Sequence, residues 1–232
     1  MTYIVVIGKV DPGDVKRAVE KHFGGWTSEG PKPETDLPPV PANAPATVYV
    51  PDASRVQDSV VLAQTLGLTR SDPDYYPLQV GNHVLGGGFY ATRLYRDLRE
   101  ERGLVYTVGS FLEIGKTRSF YRVSYGCDPG NVAEARAIIV RDLKDMQDSM
   151  VSEADLTQAK AMLLREIPLQ ESSVGSVAYG LLDRAVRGLP LDEPTLAARR
   201  YMEIDAARIR AAFAKWLRPE DLVEVTQGPP VR

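Results

Sequence analysis

Two histidines, His22 and His83, are the only imidazoles in 232 residues. A zinc enzyme site takes about three protein ligands and keeps a further position open. Neither histidine has a second one at helical spacing, and neither sits in H-E-x-x-H or its inverse H-x-x-E-H. Both read as structural, and no metal is expected on this chain. Cys127, the single cysteine, lies in Tyr-Gly-Cys-Asp-Pro at a strand end. It excludes an intrachain disulfide and reads as a small buried apolar residue rather than a nucleophile. No G-x-S-x-G is present. The run Gly86-Gly87-Gly88 lacks the G-K-[ST] of a phosphate loop and follows a helix rather than a strand. On spacing alone it reads as a break between helices that needs positive φ.

The densest stretch of polar chemistry is 85–110. It joins the glycine run, a helix carrying Arg93, Arg96, Asp97, Arg99, Glu100, Glu101 and Arg102, a glycine stop at Gly103 and a strand. By composition these charges form a solvated helix face with i,i+3 and i,i+4 pairs. Tyr121 and Tyr125 alternate on one strand face and Phe120 on the other. The RNP1 pattern of an RNA-binding sheet is absent, so core packing is the better reading. Net charge is −3 with pI about 5.5, so no basic stripe for nucleic acid is expected. No apolar run reaches about 18 residues, and the opening MTYIVVIGKV lacks the parts of a signal peptide. The expectation is a soluble protein, with bacterial cytoplasm and periplasm both open.

The elements that position these groups fall into three parts. Residues 1–27 read as one strand and helix. Tyr3–Ile7 is an apolar β-branched run, Asp11 caps a helix with Pro12 in its first turn, and Val15, Ala18, Val19 and Phe23 repeat at helical spacing. Such a unit cannot bury its own faces, which suggests that the chain begins inside a domain. Seven prolines between 31 and 51 mark a linker, placed at 28–45. Residues 46–232 then give strands at 47–50 and 58–66, and a helix from Asp72-Pro73 to about Leu85. A second helix spans 89–101, and a hairpin follows from Leu104–Glu113 and Arg118–Tyr125. Helices follow at 131–148, 152–169, 173–187, 193–202 and 206–216, with a last strand at 222–226. This order predicts an α+β fold with a mainly antiparallel sheet and helices packed on one face.

The segment Leu85-Gly86-Gly87-Gly88, then Arg93-Leu94, then Leu98-Arg99-Glu100-Glu101-Arg102-Gly103-Leu104-Val105-Tyr106 resembles the C-terminal half-domain of the insulinase/pitrilysin family of zinc metallopeptidases. That group includes the mitochondrial processing peptidases. The opening, with Val-Asp-Pro and Phe-Gly-Gly-Trp, resembles the final strand and helix of the preceding half-domain. The resemblance implies two half-domains closing around a chamber that holds an extended peptide. The family's H-x-x-E-H lies in the half that this chain lacks, so zinc is expected there or on a partner. The expected function is the substrate-embracing half of a zinc peptidase subunit, inactive alone. The alternative is a non-catalytic partner subunit of the same family. Expected partners are a peptide, a catalytic half-domain or partner subunit, and a second copy of the chain. The resemblance also implies that Arg99 and Tyr106 contact substrate and the transition state, and that Gly86, Gly87 and Gly88 line the peptide site. The bland alternative pairs Arg99 with a nearby glutamate and packs Tyr106 in the core. Arg102 is the rival cation.

Overall fold

The computed structural model describes residues 2–27, 29–31, 36–88 and 90–230. Its centre is a five-stranded sheet of order β1-β5-β2-β4-β3, where β1 is Ala46–Pro51, β2 Asp58–Leu66, β3 Val105–Ile114, β4 Ser119–Cys127 and β5 Val223–Gly228. β1 pairs with β5 in parallel, and every other pairing is antiparallel. The α+β, mainly antiparallel expectation holds.

Alternation in β2 decides which face is covered. Asp58, Val60, Leu62, Gln64 and Leu66 are buried, while the residues between them are half-buried. This period of two is the mark of a sheet with one packed face. Tyr121, Val123, Tyr125 and Cys127 extend the packed face across β4. Helices cover it: α2 (Tyr75–Asn82), α4 (Val132–Asp148), α5 (Glu153–Gln170), α7 (Glu193–Glu203) and α8 (Ala206–Trp216). Ala135, Ile139, Leu143 and Met146 form the buried stripe of α4, at helical spacing. α8 lies against both α2 and α4 through Ile209, Ala212 and Phe213. Its start is fixed by Asp205, whose carboxylate accepts from the Arg208 N–H at 2.8 Å. Ser152 caps α5 in the same way, accepting from the Asp155 N–H at 3.1 Å. α6 (Val174–Arg187) buries no residue and ends at Gly188, φ +68°.

Several boundaries differ from the sequence reading. The helix expected from Asp72-Pro73 begins at Tyr75, because Asp72 turns inward and accepts from the Asp74 N–H at 2.9 Å. The helix expected from 89 starts at Arg93, as α3 (Arg93–Tyr95), because the Thr92 hydroxyl accepts from the Tyr95 N–H at 3.3 Å. Phe89 lies outside the described residues.

The segment Tyr3–Ile7 is not a strand. A strand needs a neighbour for its N–H and C=O groups, and no described strand lies beside it. The helix that follows does form, as α1 (Pro12–Phe23), with Asp11 accepting from the N–H groups of Gly13 and Asp14. It buries no residue. Among the described residues, no hydrogen bond or ion pair joins 2–27 to the rest of the chain.

The proline-rich segment is not slack throughout, although Ser28 and residues 32–35 of it lie outside the described residues. From Asp36 onward it is strapped to the sheet. Asp36 pairs with Lys116, and the Pro38 carbonyl accepts from Arg118 Nε at 3.0 Å. Asn43 exchanges bonds with Thr65, giving its N–H to the Thr65 hydroxyl at 3.0 Å and accepting the Thr65 N–H at 2.9 Å. These contacts replace the backbone donors that proline removes.

Candidate functional site

The glycine run closes α2 against the edge strand β3. After Asn82 the helix widens into one π-helical turn, His83–Gly87, and Gly88 turns extended at φ −86°, ψ 161°. The run does not use positive φ. Among the described residues only Gly30, Gly103 and Gly188 do. What Gly86 and Gly87 supply is room. A Cβ on Gly86 would sit 2.8 Å from both Leu94 Cδ1 and Ser110 Oγ, and one on Gly87 would sit 2.4 Å from Asn82 Nδ2. The buried Asn82 then ties the turn to β3, giving Nδ2 to the Ser110 carbonyl at 3.2 Å and accepting the Ser110 hydroxyl at 2.7 Å. Beside the run lies a cavity of about 590 Å³ whose walls include Gly86, Gly87, Gly88, Phe111, Met162 and Glu166.

α3 leads into a second π-helical turn, Arg96–Glu100. π turns are rare and concentrate at functional sites. Gly103 ends it at φ +62°, and the Leu104 N–H returns to the Leu98 carbonyl at 2.9 Å. This seven-to-one bond, one residue wider than a Schellman closure, ends the wide turn around a left-handed glycine. Arg141 of α4 fastens the turn from below, bridging Asp97 and the buried Asp142. Burial pushes the Asp142 carboxyl above the usual range, while Arg141 opposes it.

Arg99 therefore projects where the chain re-enters the sheet. Its Nη1 donates to the Val105 carbonyl at 2.9 Å, and its guanidinium carbon lies 5.8 Å from the centre of the Tyr106 ring. No carboxylate pairs with Arg99 among the described residues, whereas Arg102 is taken up by Glu134 at 3.2 Å. Tyr106 occupies a β-bulge. Val105 faces Cys127 and Thr107 faces Gly126, so Tyr106 is the extra residue between them. A bulge re-aims the side chain it carries. Tyr106 is 46% exposed, and its hydroxyl donates to Asp128 Oδ2 at 3.0 Å. The Asp128 carboxylate pushes the phenol pKa up, so the hydroxyl remains a proton donor at neutral pH.

The structure thus brings Arg99 and Tyr106 together, and brings Gly86–Gly88 to the same strand. Gly109, beside Gly86, lies three residues along β3 from Tyr106, roughly 10 Å. Asp128, Asn82 and Ser110 were not singled out by sequence. Asp128 directly follows Cys127, and the hairpin register sets it across from the start of β3; that register is the one signal that could have found it. His83 is buried with Nε2 3.3 Å from Glu166, and His22 lies on the exposed α1. Among the described residues no three His, Cys, Asp or Glu side chains converge as a metal site. The residues present do not fit a zinc ion.

Comparison with known proteins gives this geometry a setting. The pattern of the peptidase M16 inactive domain matches residues 2–163. The probable inactive metalloprotease YmfF of Bacillus subtilis is 26% identical over 77% of this chain and 40% of its own length. An uncharacterized zinc protease of Mycobacterium leprae is 31% identical over 69% of this chain and 36% of its own length. The chain thus spans less than half the length of these relatives. Among solved structures, the peptidase M16 inactive domain from Pseudomonas fluorescens superposes with a TM-score of 0.81 at 25% identity. It covers 97% of this chain and 53% of that one. A protease from Helicobacter pylori shares the fold, at TM-score 0.83 and 18% identity over 96% of this chain and 54% of that one.

Proposed function

This chain belongs to the peptidase M16 family, as its inactive domain, and on that premise we propose that it is the substrate-embracing half of a zinc peptidase subunit. It holds an extended peptide, and a zinc-bearing half carried elsewhere would supply the Lewis acid for the scissile carbonyl. The supporting observation is the half-exposed Tyr106, re-aimed by a bulge beside an arginine that no carboxylate among the described residues neutralises. Tyr106 donates to the carbonyl oxygen that gains negative charge when the peptide is attacked, exchanging Asp128 for it. Arg99 offers a planar cation to a peptide carbonyl. Gly86, Gly87 and Gly88 let the peptide backbone approach the edge of β3. Asp128 holds the tyrosine in place until substrate arrives.

On this reading residues 1–27 belong to the zinc-bearing half, Tyr3–Ile7 becoming its closing strand on assembly and α1 its last helix, with 28–45 the link and 46–232 the half-domain proper. Tyr3, Ile4, Val6, Ile7 and Phe23 are exposed. An apolar segment of this kind gains stability on joining the sheet it lacks. A second reading, a non-catalytic partner subunit, is favoured by the inactive relative in Bacillus subtilis. Size-exclusion chromatography with the zinc-bearing half of a relative tests the assignment. The full chain is expected to co-elute with it, and a chain lacking residues 2–27 to bind at least about tenfold more weakly. Equal association of both chains would remove 2–27 from the interface.

A further inference from the structure

The segment that carries Arg99 is held by α4 and its N-cap at three points. Arg141 reaches Asp97, Glu134 meets Arg102 at 3.2 Å, and the Asn131 amide donates to the Leu104 carbonyl at 3.2 Å. Glu134 and Arg141 stand two helical turns apart on one face of α4, about 10 Å. The three holds are unequal. The side chains of Arg102 and Glu134 are 47% and 56% exposed, and an exposed pair of this kind contributes little. Asp97 is 13% exposed, and Asp142, behind Arg141, only 1%.

Arg141 bends onto its own neighbour. Its Nε at 2.9 Å and its Nη2 at 2.6 Å both donate to Asp142 Oδ1, and Nη2 also reaches Asp97. The buried carboxylate thus fixes the guanidinium plane, and the guanidinium fixes Asp97. The charge of Arg93, on α3, also acts on Asp142. From the exposed side Asp97 accepts Arg96 Nε at 3.0 Å. What this chain of charges grips is a π turn, closed by the Glu101 N–H on the Arg96 carbonyl at 2.9 Å. A π turn holds one residue more than an α turn and is rare, so outside contacts must impose it. Reversion to α geometry would rotate the residues after Asp97 by about 100° around the helix axis and take Arg99 off the Val105 carbonyl.

We propose that Asp97, Arg141 and Asp142 are positioning residues for Arg99. They keep the turn Arg96–Glu100 wide, and the wide turn sets the Arg99 guanidinium 2.9 Å from the Val105 carbonyl and beside the Tyr106 ring. They act through Arg99 and need not touch the peptide. The effect on cleavage rests on the reading of Arg99 as a substrate contact. The placement of Arg99 does not.

Two measurements test this. In the full chain, ¹³C,¹⁵N-labelled, the nuclear Overhauser contact between the Arg99 side chain and the Tyr106 ring reports the placement. Asp97→Asn, which keeps the shape and removes the charge, should abolish it. Arg141→Lys should do the same, since an ammonium keeps a charge on Asp142 but lacks the fork that serves both carboxylates. It answers the same question should Asp97→Asn not fold. Arg102→Ala should leave the contact intact. The second measurement is peptide cleavage with the zinc-bearing half of a relative. There Asp97→Asn should lower kcat/KM roughly 10–100-fold, as a displaced substrate-binding group does. Added to Arg99→Ala it should change the rate by less than about twofold, because both remove one contact. A merely structural role would lower both backgrounds alike. Should Arg99→Ala itself cleave normally, the substrate role of Arg99 falls, and the Overhauser contact alone decides the positioning. Persistence of that contact in Asp97→Asn and Arg141→Lys, its equal loss in Arg102→Ala, or losses that multiply in the double variant would overturn the proposal.

Discussion

Tyr106→Phe, in the chain assembled with the zinc-bearing half of a relative, is expected to lower kcat about 10²–10³-fold with little change in KM. That is the scale of one lost donor to a developing oxyanion, about 2.7–4 kcal/mol. Folding stability should hardly move. The residue is 46% exposed, and the acceptor of its hydroxyl, Asp128, sits at the surface. Removal of the hydroxyl therefore leaves no buried group unpaired. Arg99→Ala should also slow cleavage, and Arg102→Ala should not, since Arg102 is engaged by Glu134 away from Tyr106. Steady-state peptide cleavage, with thermal melts of the same samples, separates these effects. Normal turnover in both Tyr106→Phe and Arg99→Ala would exclude the pair from the chemistry.

Phe213→Ala is expected to cost about 3–5 kcal/mol of folding stability, the range for emptying a buried aromatic site. Phe213 is fully buried on α8, between α2 and α4. It packs so closely on α2 that a Cβ at Gly81 would lie 2.3 Å from its ring. The cavity would open beneath the helix that ends in the glycine run. For a chain of this size the melting midpoint should fall by roughly 6–20 °C. Calorimetry checks it. A fall below about 2 °C would mean that α2 and α8 re-close over the space, and that the glycine run is not held from beneath.

Legibility in the sequence followed the range of the interactions. α8 was readable to the residue, because Asp205 is a local cap and the apolar stripe above it repeats at 3.6. The hairpin was readable because its turn and its alternation are local. Tyr3–Ile7 was misread as a strand because β propensity describes a residue's fit to a sheet, and the sheet was missing. The glycine run was misassigned to positive φ for a related reason. What it must avoid, Asn82, Leu94 and Ser110, is set by tertiary packing that periodicity does not encode. The strap at 36–45 was invisible because Asn43 and Thr65 are 22 positions apart. At the site, the adjacency of Arg99 and Tyr106 rested on the resemblance. The bulge that exposes Tyr106 and the acceptor Asp128 are properties of strand register.

The central claim is that this chain contributes to peptide cleavage only in company with a zinc-bearing half. The direct measurement is cleavage of a quenched fluorescent peptide by three samples: the tag-free chain, the zinc-bearing half of a relative, and the two mixed. The account predicts baseline rates for the chain alone, which should also hold no stoichiometric zinc through dialysis. It predicts a rate in the mixture well above the sum of the parts. Cleavage by the chain alone, or a mixture no faster than the zinc-bearing half by itself, would contradict it.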